Sequence, residues 1–267
     1  MTPAISQVCT LQNTFAEDLL GYAEGGCTHI EVWLTKLEQH LESSNIADTK
    51  ALLESHGITP VAAALQGGLL LSQGEARRSA FDLLKQRLEL CQQFGISVLV
   101  VVADFHEPID ETTLGRSLVS LSETARWAAG FGVNIALEFQ GTNSFCNNLD
   151  TALMIIEQVN EPNLGVCLDA FHYFQGPSKP QDLKRLTTTN LFHVQLCDVP
   201  GVPRELMTDA DRVFPGEGDF DLTPIVEGLK VIEYRGAVSL ELMNPLYWKS
   251  KTSQVAELGL TALQRLI

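Results

Sequence analysis

The sequence predicts an α/β protein folded as a single closed (β/α)8 barrel spanning residues 1–267. Three observations point there. Short apolar runs of strand length alternate with helix-length stretches from end to end, eight of each, and such alternation implies a parallel sheet. Glycine-based helix stops stand directly before strands, as in His56-Gly57-Ile58, Phe94-Gly95-Ile96 and Phe131-Gly132-Val133. No linker divides the chain, and a chain of this size buries roughly three quarters of its unfolded surface, enough for one large core. A doubly wound open sheet is the alternative. However, no GxGxxG follows the first strand and no GxxxxGK[ST] occurs, which disfavours a dinucleotide or nucleoside-triphosphate site.

In chain order the strands are expected at Ile5–Cys9, Thr28–Trp33, Thr59–Leu65, Ser97–Val102, Val133–Phe139, Leu164–Asp169, Leu191–Leu196 and Ala237–Leu242. The helices between them are expected at Thr14–Ala23, Ile46–Ser55, Glu75–Phe94, Thr113–Phe131, Asp150–Val159, Pro180–Thr187, Leu222–Ile232 and Thr252–Leu266. The glycine stops mark the entries to the third, fourth and fifth strands. The longest apolar segment, Ile96–Ala103, suits one buried strand and falls far short of the ~18–20 residues of a membrane span. The longest loop, Cys197–Phe220, holds three prolines and three glycines. A loop of that length in a compact domain is usually functional, and after the seventh strand it lies on the face where barrel sites are built.

The last four strands are justified by alternation, because residues two apart share a face. Val133, Ile135 and Leu137 face the helices while Asn134, Ala136 and Glu138 face the lumen. Leu164, Val166 and Leu168 point outward, and Gly165, Cys167 and Asp169 inward. Phe192, Val194 and Leu196 point outward, and His193 and Gln195 inward. Val238, Leu240 and Leu242 point outward, and Ala237, Ser239 and Glu241 inward. Four successive strands thus end on an inward Glu, Asp, Gln and Glu. Taken singly, each is an ordinary solvated loop residue. Taken together, three carboxylates in a narrow lumen repel one another and lose hydration unless a cation joins them. Glu138, Asp169, Gln195 and Glu241 make a hard oxygen set for one divalent metal ion, suited to Mn²⁺ or Mg²⁺, with Co²⁺ or Zn²⁺ still admissible. His193 competes with Gln195 as third ligand, but strand rise puts it about 6.6 Å deeper, where it packs or supports the site. His172, three residues past Asp169, is either a loop histidine or a group that positions or protonates a substrate oxygen. Glu31 and Trp33, sharing the inward phase of the second strand, and His106, following the fourth, are weaker pocket-lining candidates. His29, His40 and His56 read as structural or surface residues.

These blocks also resemble a family. Asp169-Ala-Phe-His172, His193-Val-Gln195-Leu-Cys-Asp198, Thr208-Asp-Ala-Asp-Arg212-Val-Phe-Pro-Gly216-Glu-Gly218 and Ser239-Leu-Glu241 are similar, in order and spacing, to the xylose-isomerase-like TIM barrel superfamily of sugar phosphate isomerases and epimerases. TDADRVFPGEGDFDL and SLELMNPLYW most resemble its inosose isomerase-like members. The resemblance implies that Glu138, Asp169 and Glu241 are metal-binding carboxylates and that His172 contacts substrate. It puts Gln195 where many members carry a metal-binding histidine, and Arg212 where the family has an arginine near the substrate. Arg212 pairing with Asp209 or Asp211 on its own loop is the equally simple alternative.

The implied activity is a metal-dependent isomerase or epimerase of a small polyhydroxy ketone or aldehyde, a sugar or keto-inositol, with Glu138 and Glu241 moving the proton through an enediolate. Arg212, His193, Glu31, Trp33 and His106 would face substrate. A 3-dehydroshikimate dehydratase-like lyase on the same site and a non-catalytic sugar-binding barrel are the alternatives. Composition narrows the partners. With 18 basic against 33 acidic residues the net charge is −15, which disfavours nucleic acid and an AP-endonuclease-like nuclease. Cys9, Cys27, Cys91, Cys146, Cys167 and Cys197 lack CxxC spacing, so they read as reduced thiols. The N-terminus shows no signal peptide, no membrane segment is found, and a cytoplasmic enzyme is expected. A homodimer is compatible with the chain, and nothing in the sequence specifies one.

Overall fold

Eight parallel strands close into a barrel in strict chain order in the computed structural model, which describes all residues 1–267. They are β1 Thr2–Ser6, β2 His29–Trp33, β3 Thr59–Gln66, β4 Val98–Val102, β5 Asn134–Glu138, β6 Leu164–Asp169, β7 Leu191–Leu196 and β8 Ala237–Leu240. Nine helices surround them: α1 Phe15–Glu24, α2 Leu34–Leu41, α3 Ile46–Ser55, α4 Gly74–Phe94, α5 Glu111–Gly130, α6 Leu149–Val159, α7 Ala170–Gln175, α8 Thr223–Val231 and α9 Thr252–Leu266. The expected (β/α)8 barrel is what forms. Closure leaves no strand edge unpaired, since β8 bonds back to β1 through Pro3↔Val238 and Ile5↔Leu240.

Local chemistry accounts for most helix ends. Thr14 and Glu17 form a reciprocal capping box on α1, and Asn45, Asp110 and Asn148 cap α3, α5 and α6 through their side chains. Gly95 (φ 69°) and Gly132 (φ 71°) take the left-handed conformation expected before β4 and β5.

Four elements differ from the sequence expectation. β1 lies three residues earlier at both ends than Ile5–Cys9. Register with β8 draws Thr2–Ser6 into the sheet, and Gln7–Thr10 turns off as a 3-10 helix. There the buried Lys36 ammonium takes the carbonyls of Gln7 (3.1 Å) and Thr10 (2.7 Å). α2 starts at the strand end with no capping side chain, so no local start signal announces it. α7 likewise follows β6 without a loop, Asp169 itself accepting the Phe171 N–H at 2.8 Å. The helix expected at Pro180–Thr187 is only a 3-10 turn, Asp182–Arg185.

The outward phase read from the last strands is observed in full at β5, β6 and β8, whose outward residues join the core between sheet and helices. A separate small cluster, Ala64, Val100, Ala136 and Cys167, fills the lumen, with Trp33 and Phe192 against it. Phe192 is a correction, since it was expected outward. Register shifts between Val166↔Leu191 and Cys167↔His193, and this bulge sends the ring to the lumen floor. Gly165 makes room for it, because a Cβ there would meet Phe192 Cδ2 at 2.7 Å and Asn190 O at 2.8 Å.

Candidate active site

At the C-terminal mouth the strand ends converge as their phase requires. Glu138 closes β5 and Asp169 closes β6. β8 stops one residue before Glu241, whose N–H still bonds Leu196 O at 3.1 Å. All three carboxylates are buried. Burial is the main cause that pushes Glu138 and Glu241 well above the ordinary glutamate range, and Asp169 repels both. Burial acts on Asp169 as the largest single influence as well, but the Arg212 guanidinium, His172 and the Phe171 N–H together hold that carboxyl below its usual value.

Arg212 arrives on the loop between β7 and α8, and Asp198 shapes that loop. Its carboxylate takes the N–H groups of Val199 (2.8 Å), Gly216 (3.0 Å) and Phe220 (2.9 Å). Its backbone pairs with Val213. Asn244 Nδ2 donates to the Arg212 carbonyl at 3.0 Å. The guanidinium is 1% exposed, lies over the Phe171 ring at 4.3 Å and faces carboxylates with every nitrogen. Nη1 donates to Asp169 Oδ1 (3.2 Å) and Glu241 Oε2 (2.9 Å), Nη2 to Asp169 Oδ2 (2.8 Å) and Nε to Asp209 Oδ1 (2.9 Å). Of the two readings of Arg212 left open by the sequence, the pairing with Asp209 on its own loop forms, and the same guanidinium also enters the carboxylate cluster.

His172, on α7, sets Nε2 3.6 Å from Asp169 Oδ2 and 3.8 Å from Glu138 Oε1. Its Nδ1 receives the Gly141 N–H at 3.4 Å, which leaves Nε2 as the protonated nitrogen of a neutral ring. Burial keeps the ring below its ordinary pKa range even though Asp169 opposes it. Glu138, Asp169 and His172 bring one potential ligand atom each within 4.8 Å of one another. The Glu138 carboxylate accepts no hydrogen bond from the protein, and its ionic contact is with His172 at 3.8 Å.

Gln195 is in the cluster but not in the attitude its expected ligand role requires. Its Nε2 donates to Glu31 Oε1 and Glu241 Oε1, each at 2.9 Å, while Oε1 accepts from Cys167 Sγ at 3.0 Å. An oxygen in the place of that nitrogen would face two carboxylates, so hydrogen bonding fixes which end is which. Glu31, expected at the pocket wall, is instead fully buried and bonds His193 Nε2 at 2.7 Å. Burial alone would raise its pKa, but His193 and the other donors bring it below the ordinary value. His193 sits one inward layer below Gln195, also touching Ser239 Oγ at 3.2 Å, and lines a cavity at the N-terminal mouth with Thr2 and Arg235. It is therefore set beneath the cluster. Trp33 lines the lumen, whereas His106 stands exposed in the loop after β4, with no hydrogen bond to the cluster. Cys167, Asp209, Asn244 and Phe171 were not singled out from the sequence as site residues. Cys167 carried a signal in its inward phase and Asp209 in its spacing of three from Arg212; Asn244 and Phe171 carried none of that kind.

The donor chemistry fits a hard divalent cation, because three converging carboxylates have one guanidinium as their counter-charge. Comparisons with known proteins identify the relatives of the chain. Inosose isomerase of Bacillus velezensis is 30% identical over 256 residues, covering 93% of this chain and 91% of the relative. A 3-dehydroshikimate dehydratase of Pseudomonas putida is 27% identical over 186 residues, 68% of this chain and 29% of that protein. A crystal structure of the IolI protein with a bound zinc atom superposes with a TM-score of 0.93 at 27% identity, covering 100% of this chain and 98% of that one. The xylose isomerase-like TIM barrel family model matches residues 22–265. A match across that span, on a closed barrel whose strand ends carry these carboxylates, means that the chain belongs to the xylose isomerase-like TIM barrel family.

Proposed function

We propose that this protein is a divalent-metal-dependent isomerase or epimerase of a small polyhydroxy ketone or aldehyde, with keto-inositols as the first substrate class to test. One observation carries the reading: two buried glutamates, Glu138 and Glu241, flank Asp169 in unequal surroundings. Such inequality separates the roles of paired acids. The Glu138 carboxylate, free of hydrogen bonds from the protein, takes the proton from the carbon beside the substrate carbonyl. Glu241, held by Gln195 and Arg212 and biased by burial towards its protonated form, delivers its own proton to the neighbouring carbon or the opposite face, and exchange with solvent resets both acids. His172 Nε2–H donates to a substrate oxygen, and Trp33 supplies an apolar wall that helps exclude water. Glu138, Asp169 and Glu241 would hold the metal, with Gln195 joining only if its carboxamide turned over. Mn²⁺ or Mg²⁺ suits this oxygen set. The metal would supply Lewis-acid polarisation of the carbonyl and stabilise charge on its oxygen. Six free, buried cysteines support a reducing compartment, and the cytoplasm is the one we infer.

The similarity to a 3-dehydroshikimate dehydratase supports a second reading. The same proton abstraction, with a hydroxyl β to the carbonyl, ends in loss of water. One panel tests both: ketoses, inososes, hydroxypyruvate and 3-dehydroshikimate, incubated with Mn²⁺ in deuterated water. Deuterium entering an inosose or ketose is the expected result, and a conjugated ultraviolet-absorbing product would select the lyase. No exchange into any substrate would overturn the proton-transfer reading. Glu138→Gln and Glu241→Gln should each slow exchange by about 100-fold or more, and a variant with full activity would be removed from the mechanism.

A further inference from the structure

Arg212 leaves its carboxylate neighbours few free lone pairs. Asp169 Oδ1 already takes two N–H groups, from Phe171 and from Nη1, and Oδ2 takes Nη2. Glu241 is engaged at both oxygens, Oε1 by Gln195 and Oε2 by Nη1. Of the three carboxylates only Glu138 is open. Arg212 in turn offers a substrate nothing, since Nε is committed to Asp209, Nη2 lies 2.9 Å from the same Asp209 oxygen, and the remaining donors face Asp169 and Glu241. A second cation placed on Asp169 and Glu241 beside this guanidinium would face like-charge repulsion in a buried, low-dielectric site. The three anions without any cation would be equally unfavourable.

We propose that Arg212 is the resident counter-cation of the Glu138–Asp169–Glu241 cluster, that it exchanges with the divalent metal, and that Asp209 receives the displaced guanidinium. The proposal rests on the metal-dependent reading above and adds its regulation. Asp209 suits the receiving role because it is 48% exposed, lies on the same loop and already holds Nε. Arg212 therefore moves without losing its charge partner. Nη1 and Nη2, released from Asp169, then have open N–H groups beside His172. Recognition of substrate oxygens by Arg212 thus follows metal binding, and the two events are thermodynamically coupled.

Mn²⁺ binding to the metal-stripped chain, followed by calorimetry and by the electron paramagnetic resonance of free Mn²⁺, separates the possibilities without an activity assay. Arg212→Gln removes the competitor, so its Mn²⁺ dissociation constant should fall about tenfold relative to wild type. The rise in melting temperature on adding Mn²⁺ should also be larger than in wild type. Asp209→Asn removes the receiving group and should weaken Mn²⁺ severalfold, the opposite sign. This loop variant keeps the inference testable if Arg212→Gln does not fold. Equal or weaker Mn²⁺ binding by Arg212→Gln, or unchanged binding by Asp209→Asn, overturns the exchange and leaves the metal reading intact. No Mn²⁺ binding by wild type or either variant overturns both.

Discussion

Asp18 and Lys36 meet at 2.6 Å, fully buried between α1 and α2. Burial pushes the Asp18 pKa up and the Lys36 pKa down, against their mutual attraction, so each is biased towards its neutral form. Desolvation therefore exceeds what the pair recovers, and its value is geometric: Lys36 anchors the turn after β1 and, with Gln7, the start of α2. Asp18→Asn alone strands a buried ammonium and should cost about 3–5 kcal/mol in urea unfolding. Asp18→Asn with Lys36→Met should cost less than the sum of the single changes, and strict additivity would contradict the pairing. The three clustered carboxylates were legible at this scale because phase and chain position alone place Glu138, Asp169 and Glu241. Gln195 was half legible. Its inward direction follows from alternation, but which end of its carboxamide faces the site depends on Glu31, 164 residues away.

At the level of elements, the phase of β7 was misread at a single residue, Phe192, because a bulge is invisible to a period-two pattern. Its partner Gly165 is where the consequence can be measured. Gly165→Ala should destabilise the barrel by about 1–3 kcal/mol through overpacking against the Phe192 ring. Phe192→Leu in the same chain should recover part of the loss, and independent effects would show that the two do not touch. α2 and α7 escaped the sequence reading for a related reason. Each begins at a strand end without an intervening loop; α2 has no capping side chain, and α7 is capped by Asp169, a residue that also closes β6. The expected long loop before α8 is confirmed, and Asp198 converts it from slack chain into the rigid mount of Arg212.

Across the whole molecule, no helix is long and apolar enough to cross a membrane. All six cysteines are free and buried, and burial raises their thiols, Cys27 to about 11 and Cys91 to about 12. A thiol-disulfide reagent at neutral pH should therefore titrate almost none of them in the native protein and all six after denaturation. Rapid native labelling would contradict the packing. Barrel closure, strand order and the convergence of three carboxylates are consequences of alternation, strand length and connection length, all written within short stretches of chain. The sign and direction of what surrounds those carboxylates are not. Arg212 lying among them, Gln195 turning its nitrogen to Glu241, and His193 withdrawn beneath Glu31 each depend on groups brought together across the lumen. In that dry space hydrogen-bond saturation and charge balance, rather than local propensity, choose the arrangement.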